Sequence, residues 1–172
     1  MAESPTRRQI LTARIVIALL VVLILAGALI HGVIPDVERV WRNMAARPGG
    51  PMTFRFVLQP TMAAIAALRD GIRDARTGRW PYLWTLVNDP ARRMGRLNEG
   101  LISTARIILL GLVMDAIYQV AELNIFHPGE AVVVALVLAF LPYLILRGPI
   151  ARAARWFFAL RSTAADRGKT AS

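Results

Sequence analysis

The sequence has no cysteine and a single lysine, Lys169, among its 172 residues. Without cysteine the chain has no disulfide, no thiolate nucleophile and no thiolate metal centre, and redox compartment leaves no mark on it. Acidic residues are scarce as well: 11 Asp and Glu stand against 21 Lys and Arg, a formal net charge of +10. A glycine-rich phosphate loop, a paired-histidine zinc helix and a serine nucleophile motif are all missing. A non-enzymatic protein is therefore expected, with no catalytic residue, cofactor or metal. The excess of arginine over lysine hints at a GC-rich bacterial genome rather than at any chemistry.

What the chain has in quantity is apolar sequence, 56% of it hydrophobic, which is more than an ordinary soluble domain carries. The arginines flank the apolar runs instead of forming a basic face on a soluble fold. Anionic lipid headgroups are accordingly the expected partner, and nucleic acid is not. All four tryptophans, Trp41, Trp80, Trp84 and Trp156, fall just outside the apolar runs, as in the aromatic belt of a membrane protein.

The run "IVIALLVVLILAGALIHGVI" is long enough at 1.5 Å per residue to cross a hydrocarbon core of about 30 Å. It reads as a transmembrane helix over 15–34 behind a cytoplasmic tail, 1–14. A cleaved signal is the alternative, because "TRRQIL" loosely resembles a twin-arginine export motif and Ala26-Gly27-Ala28 offers small residues for cleavage. The apolar run continues past those residues without a break, which favours an uncleaved anchor. An external loop follows over 35–53, marked by "RPGGP". Over 54–76 the residues Leu58, Met62, Ile65, Leu68 and Ile72 recur at helical spacing, so a short helix crosses the membrane there or re-enters it.

Residues 77–100, with tryptophans beside arginines, suit the cytoplasmic headgroup layer. Within them Asp89-Pro90 predicts a helix start, the carboxylate capping free amides and proline taking the first helical position. Further spans are expected at 101–123 and 131–147, joined by an external turn at 124–130. Pro142 predicts a bend in the last of them. Residues 148–172 read as a cytoplasmic basic amphipathic helix and a disordered tail, with Arg152, Arg155, Trp156 and Arg161 meeting lipid headgroups.

Arginine placement puts 124–130 outside and both chain termini inside, which requires a crossing over 54–68. Charge thus argues for four crossings and hydrophobic length for three. The fold class is an all-α integral membrane protein, a small bundle of three to four membrane helices with interfacial amphipathic helices. Its expected location is the bacterial inner membrane.

The functional pointer is polarity inside an apolar helix. A carboxylate at mid-membrane costs roughly 2.5–3.5 kcal/mol on insertion scales, so it normally faces protein or water. Thr104, Gly111, Asp115, Tyr118 or Gln119, and Glu122 line one face at spacings of three, four or seven. One reading is a packing seam that joins copies of the chain, as a homo-oligomer, or joins it to a partner membrane protein in a structural or accessory role. The other is a small transport or proton-conducting unit, with His31 as a proton-handling partner of Asp115. A metal site built from His31, Glu122, His127 and Glu130 is a weaker idea, because Pro128 and Gly129 break the helical spacing of the last two.

Overall fold

The computed structural model describes residues 5–31, 38, 42, 53–124 and 126–170. These are all-helical, with no strand among the described residues: α1 (Arg7–His31), α2 (Arg55–Arg76), α3 (Tyr82–Asn88), α4 (Pro90–Tyr118), α5 (Pro128–Ala135) and α6 (Leu141–Thr170). A π-helical turn, Gln119–Leu123, prolongs α4, and a second one, Leu136–Phe140, joins α5 to α6 without a break. Three helical stretches, Arg7–Ile30, Pro90–Ala121 and Pro128–Arg161, are long and apolar enough to span a membrane.

Local chemistry sets the helix starts. Thr6 and Gln9 form a reciprocal capping box: the Thr6 amide donates to Gln9 Oε1 at 2.8 Å, and the Gln9 amide to Thr6 Oγ1 at 3.4 Å. The first helix therefore begins at Arg7, within the stretch expected to be a tail. Asp89 Oδ1 accepts the Arg92 amide at 3.1 Å and Pro90 takes the first position of α4, as its sequence predicts. Asn124, with φ of 50°, closes the π turn in the left-handed region that asparagine tolerates. The next helix starts at Pro128, three residues ahead of the expected span.

The C-terminal half differs more. No break separates a membrane span from an amphipathic helix; α6 passes through Pro149 and continues to Thr170. Pro149 lies on an exposed side of the helix, and the alanine-rich sequence around it restores helical propensity. The residues expected as a disordered tail are thus helical as far as Thr170. A π turn lies immediately ahead of Pro142, so the irregularity that proline predicts is taken up there.

Contacts fix the direction of each helix. Gly27 of α1 approaches Gly129 of α5, and a Cβ there would meet the Gly129 nitrogen at 3.0 Å. Gln59 of α2 lies against Gly111 of α4, while Asp74, fifteen residues on, meets Arg96. The same Asp74 meets Arg147 of α6, and Arg76 stacks on Phe158. Hence α1 and α4 run one way, α2 and α5–α6 the other, and the four long elements alternate up and down. α2 lies along α6 in the most extensive helix pairing of the fold.

The packing of α2 is inverted relative to a soluble protein. Its apolar stripe, Leu58, Met62, Ile65 and Leu68, faces outward, each residue 36–48% exposed, whereas Ala63, Ala67 and Gly71 face the bundle. Small residues inside and large aliphatics outside are the pattern of a helix whose surroundings are as apolar as its core. At 22 residues α2 is about 33 Å long.

Alternating helices give a testable topology. Reporter fusions at the N-terminus, near Arg76 and after Lys169 are expected on one side of the membrane, and a fusion at His127 on the other. A signal at Arg76 matching that at His127 would show that α2 does not cross.

Candidate functional site

Two polar centres lie inside the bundle, at opposite ends. The larger begins with Asp70 and Asp74, four residues apart on α2, a like-charged pair that repels unless cations come from elsewhere. Those cations arrive from α4 and α6. Arg147, fully buried, places Nε 2.8 Å from Asp74 Oδ2 and Nη2 2.8 Å from Glu99 Oε1, and its Nη1 donates to the Tyr143 hydroxyl. Arg96 reaches Asp74 Oδ1 at 3.2 Å and Glu99 Oε2 at 3.1 Å, and also donates to the Trp80 carbonyl. Arg79 closes the cluster from the surface, 3.3 Å from Glu99.

Neutral groups complete it. Tyr143 and Ser103 hydroxyls both donate to Asp70 Oδ2, each at 2.6 Å. Tyr82 of α3, buried and 2.7 Å from the Arg96 carbonyl that accepts its proton, presents its ring to the Arg147 guanidinium at 4.3 Å. Burial pushes the Tyr82 hydroxyl up to about 12, against the opposing pull of Arg147. Gly100 is required beneath it, since a Cβ would collide with that hydroxyl.

Three carboxylates face three guanidiniums, and the three buried ions, Asp74, Arg96 and Arg147, each have several partners. Guanidinium does not give up its proton in proteins, so the cluster is suited to holding α2, α3, α4 and α6 in register rather than to proton transfer. Burial makes it demanding: a pair of this kind is tolerated when each charge is matched, and losing one partner costs about 3–5 kcal/mol.

The smaller centre is the predicted seam. Asp115 and Gln119 are fully buried, and Gln119 Nε2 donates to Asp115 Oδ2 at 2.6 Å. The other end of the amide accepts the His127 backbone N–H, so Gln119 ties α4 to the chain entering α5. Thr104 is buried and donates to the Gly100 carbonyl at 2.8 Å. Gly111 gives the close approach to Gln59 and Ala135, with a Cβ there meeting both at 3.1–3.2 Å. Tyr118 is half-buried.

Thr104, Gly111, Asp115 and Gln119 thus pack inside the bundle. The side chains of Glu122 and His31, and with them the His31–Asp115 pairing, lie outside the described residues. Beside Gly111, one turn from Asp115, Gln59 has both amide atoms buried without a hydrogen-bond partner among the described residues.

On the C-terminal helix, Arg152, Trp156 and Arg161 are exposed and Arg155 is half-buried. Arg161 does not point away from the apolar side as its charge suggested; it lies over the Phe157 ring at 5.4 Å, four residues back. Among the described residues no group of His, Asp and Glu is placed to hold a metal ion.

In the sequence the larger centre is inconspicuous, because Arg96 and Arg147 read as charges flanking apolar runs. Its signal was present: two acids at i, i+4 on α2, matched by Tyr143 and Arg147 at the same spacing on α6. Compared with known protein families, curated proteins and solved structures, the chain matches none.

Arg147→Leu is expected to destabilise the purified protein by about 3–5 kcal/mol in denaturant titration in mild detergent. The double variant Asp74→Leu/Arg147→Leu is expected to lose less than the two single losses added together. Tyr82→Phe should cost about 1–3 kcal/mol near neutrality. A hydroxyl raised from 10 to about 12 stabilises the fold fully below pH 10 and loses that effect as pH rises through 12. The deficit of Tyr82→Phe relative to the parent should therefore narrow over that interval.

Proposed function

We propose that the protein is a multi-pass, non-enzymatic accessory component of a bacterial inner membrane, crossing it four times. One observation carries this reading: among the described residues the buried ions Asp74, Arg96 and Arg147 are matched to one another and to Glu99 within the chain, and Asp115 is held by Gln119. The outward stripe of α2 supports its membrane contact, and the up-down order of the helices supports the fourth crossing. Both chain termini and Arg76 then lie at the arginine-rich cytoplasmic end. Because Thr104, Gly111, Asp115 and Gln119 serve the chain's own packing, contact with a companion protein or a second copy uses the outer apolar faces instead. α1 offers the broadest of these, with Leu29 and Ile30 among its most exposed residues.

A second reading, a proton-conducting or transport unit, is favoured by Gln59. Its unpartnered amide lies on the interior line that leads from Asp115 towards Thr104 and the arginine cluster. A buried polar group without a partner is costly and calls for an explanation.

Affinity purification after gentle solubilisation, with identification of what copurifies, separates the two. A companion at fixed stoichiometry supports the accessory role; pH-dependent flux from the purified protein in liposomes supports conduction. Asp115→Asn is expected to preserve folding and companion recovery, whereas Asp115→Leu leaves one Gln119 N–H without its acceptor and should lower stability by about 1–3 kcal/mol. Loss of function with asparagine, in a protein that folds normally, would favour conduction.

A further inference from the structure

A groove of about 710 Å³ opens between the start of α1, the last turns of α2 and the first half of α4. Arg69, Arg73 and Arg106 line it, above a floor formed by Met62, Ile65 and Ile102. Its two acids, Asp70 and Glu99, are engaged from the interior side: Asp70 accepts from Tyr143 and Ser103, and Glu99 is held by Arg147 and Arg96. The groove therefore presents an excess of positive charge.

Arg106 is the unusual member. It is exposed, it sits within the apolar part of α4, and neither it nor Arg69 has an ion-pair partner among the described residues. A cation at that level is costly unless it reaches an anion or the headgroup layer. Below the arginines the floor runs outward into the exposed stripe of α2, where Met62 is 36% and Ile65 48% exposed. Positive charge over an apolar slope fits a ligand that is anionic at one end and aliphatic at the other.

We infer that this groove is a binding site for an anionic phospholipid, its phosphate held by Arg69, Arg73 and Arg106 and an acyl chain lying along Met62 and Ile65. Guanidinium groups suit phosphate oxygens through paired hydrogen bonds. Thr6 and Gln9 at the rim add polar atoms at the headgroup level. The inference rests on the membrane reading above and adds a specific lipid site to it.

The full-length protein, reconstituted into bilayers of phosphatidylcholine containing a minority of phosphatidylglycerol, is to be labelled with a photoreactive phosphatidylglycerol whose crosslinker sits near the headgroup. Resistance of the protein to alkaline extraction reports membrane insertion independently. The expected result is insertion together with labelling concentrated in peptides covering 62–73 and 98–107. Arg69→Gln/Arg73→Gln/Arg106→Gln should reduce that labelling at least tenfold, while Arg152→Gln/Arg155→Gln/Arg161→Gln leaves it unchanged.

If the groove triple variant fails to fold, Arg106→Gln alone, at an exposed position, should lower labelling severalfold. Excess inorganic phosphate should not compete; full competition would identify a free-anion site and overturn the lipid assignment. Equal labelling by photoreactive phosphatidylcholine, or labelling spread evenly over the apolar surface, would also overturn it. Extraction of the protein at alkaline pH would instead overturn the membrane reading itself.

Discussion

The bundle depends on one ion pair, Asp74 with Arg147, both almost wholly removed from solvent. Neither charge is tolerable there alone. Because Asp74 accepts from two arginines and Arg147 donates to two carboxylates and a tyrosine, each neighbouring helix is fixed by the need to neutralise the one beside it. The positions of Gly100, Tyr82 and Ser103 follow: glycine where the tyrosine must enter, hydroxyls where carboxylate oxygens still lack donors. Such a network contributes less to net stability than its many contacts suggest, since desolvation offsets much of the attraction. Its stronger effect is on register, because sliding α2 by one turn against α6 would put one aspartate in the other's place and break the Tyr143, Ser103 and Arg96 contacts that distinguish the two.

Away from this cluster small residues let the helices approach closely around a core that includes Ile107, Ile108 and Leu112. Ala63, Ala67, Gly111, Ala135 and Ala139 make up much of the interior, and many of the bulky aliphatics of α1 and α2 face out. In water that arrangement would waste the hydrophobic effect. In lipid there is little hydrophobic gain from burying leucine, and packing of small residues with a few interior hydrogen bonds remains the main source of specificity.

Much of the fold was legible in the sequence because its signals are local. Apolar length located three long helices, Asp89-Pro90 located the start of α4, and the spacing from Thr104 to Gln119 located an inward face. Helix ends were legible only where a cap announced them. The boundary expected between 147 and 148 is not a break, since the one missing amide of Pro149 is a smaller penalty than the flanking helix formers and the anchoring of Arg147 can offset. The main centre was obscured for a different reason. Asp70, Arg96 and Arg147 are each ordinary flanking charges in sequence, and their meeting depends on α2 lying parallel to α6, a tertiary fact that no periodicity within either helix encodes.

The separation of Asp74 and Arg147 along the chain, 73 residues, has a consequence for biogenesis. The acids of α2 leave the ribosome long before the cation that neutralises them. Until α6 is made, Asp70 and Asp74 lack the Tyr143 and Arg147 donors that they meet in the bundle. Arg96, on the intervening helix, is made first, and Arg147 joins it on the other oxygen of Asp74. The polar network that joins the second helix to the others is thus closed by the last helix to be synthesised, and it is completed from the C-terminal side.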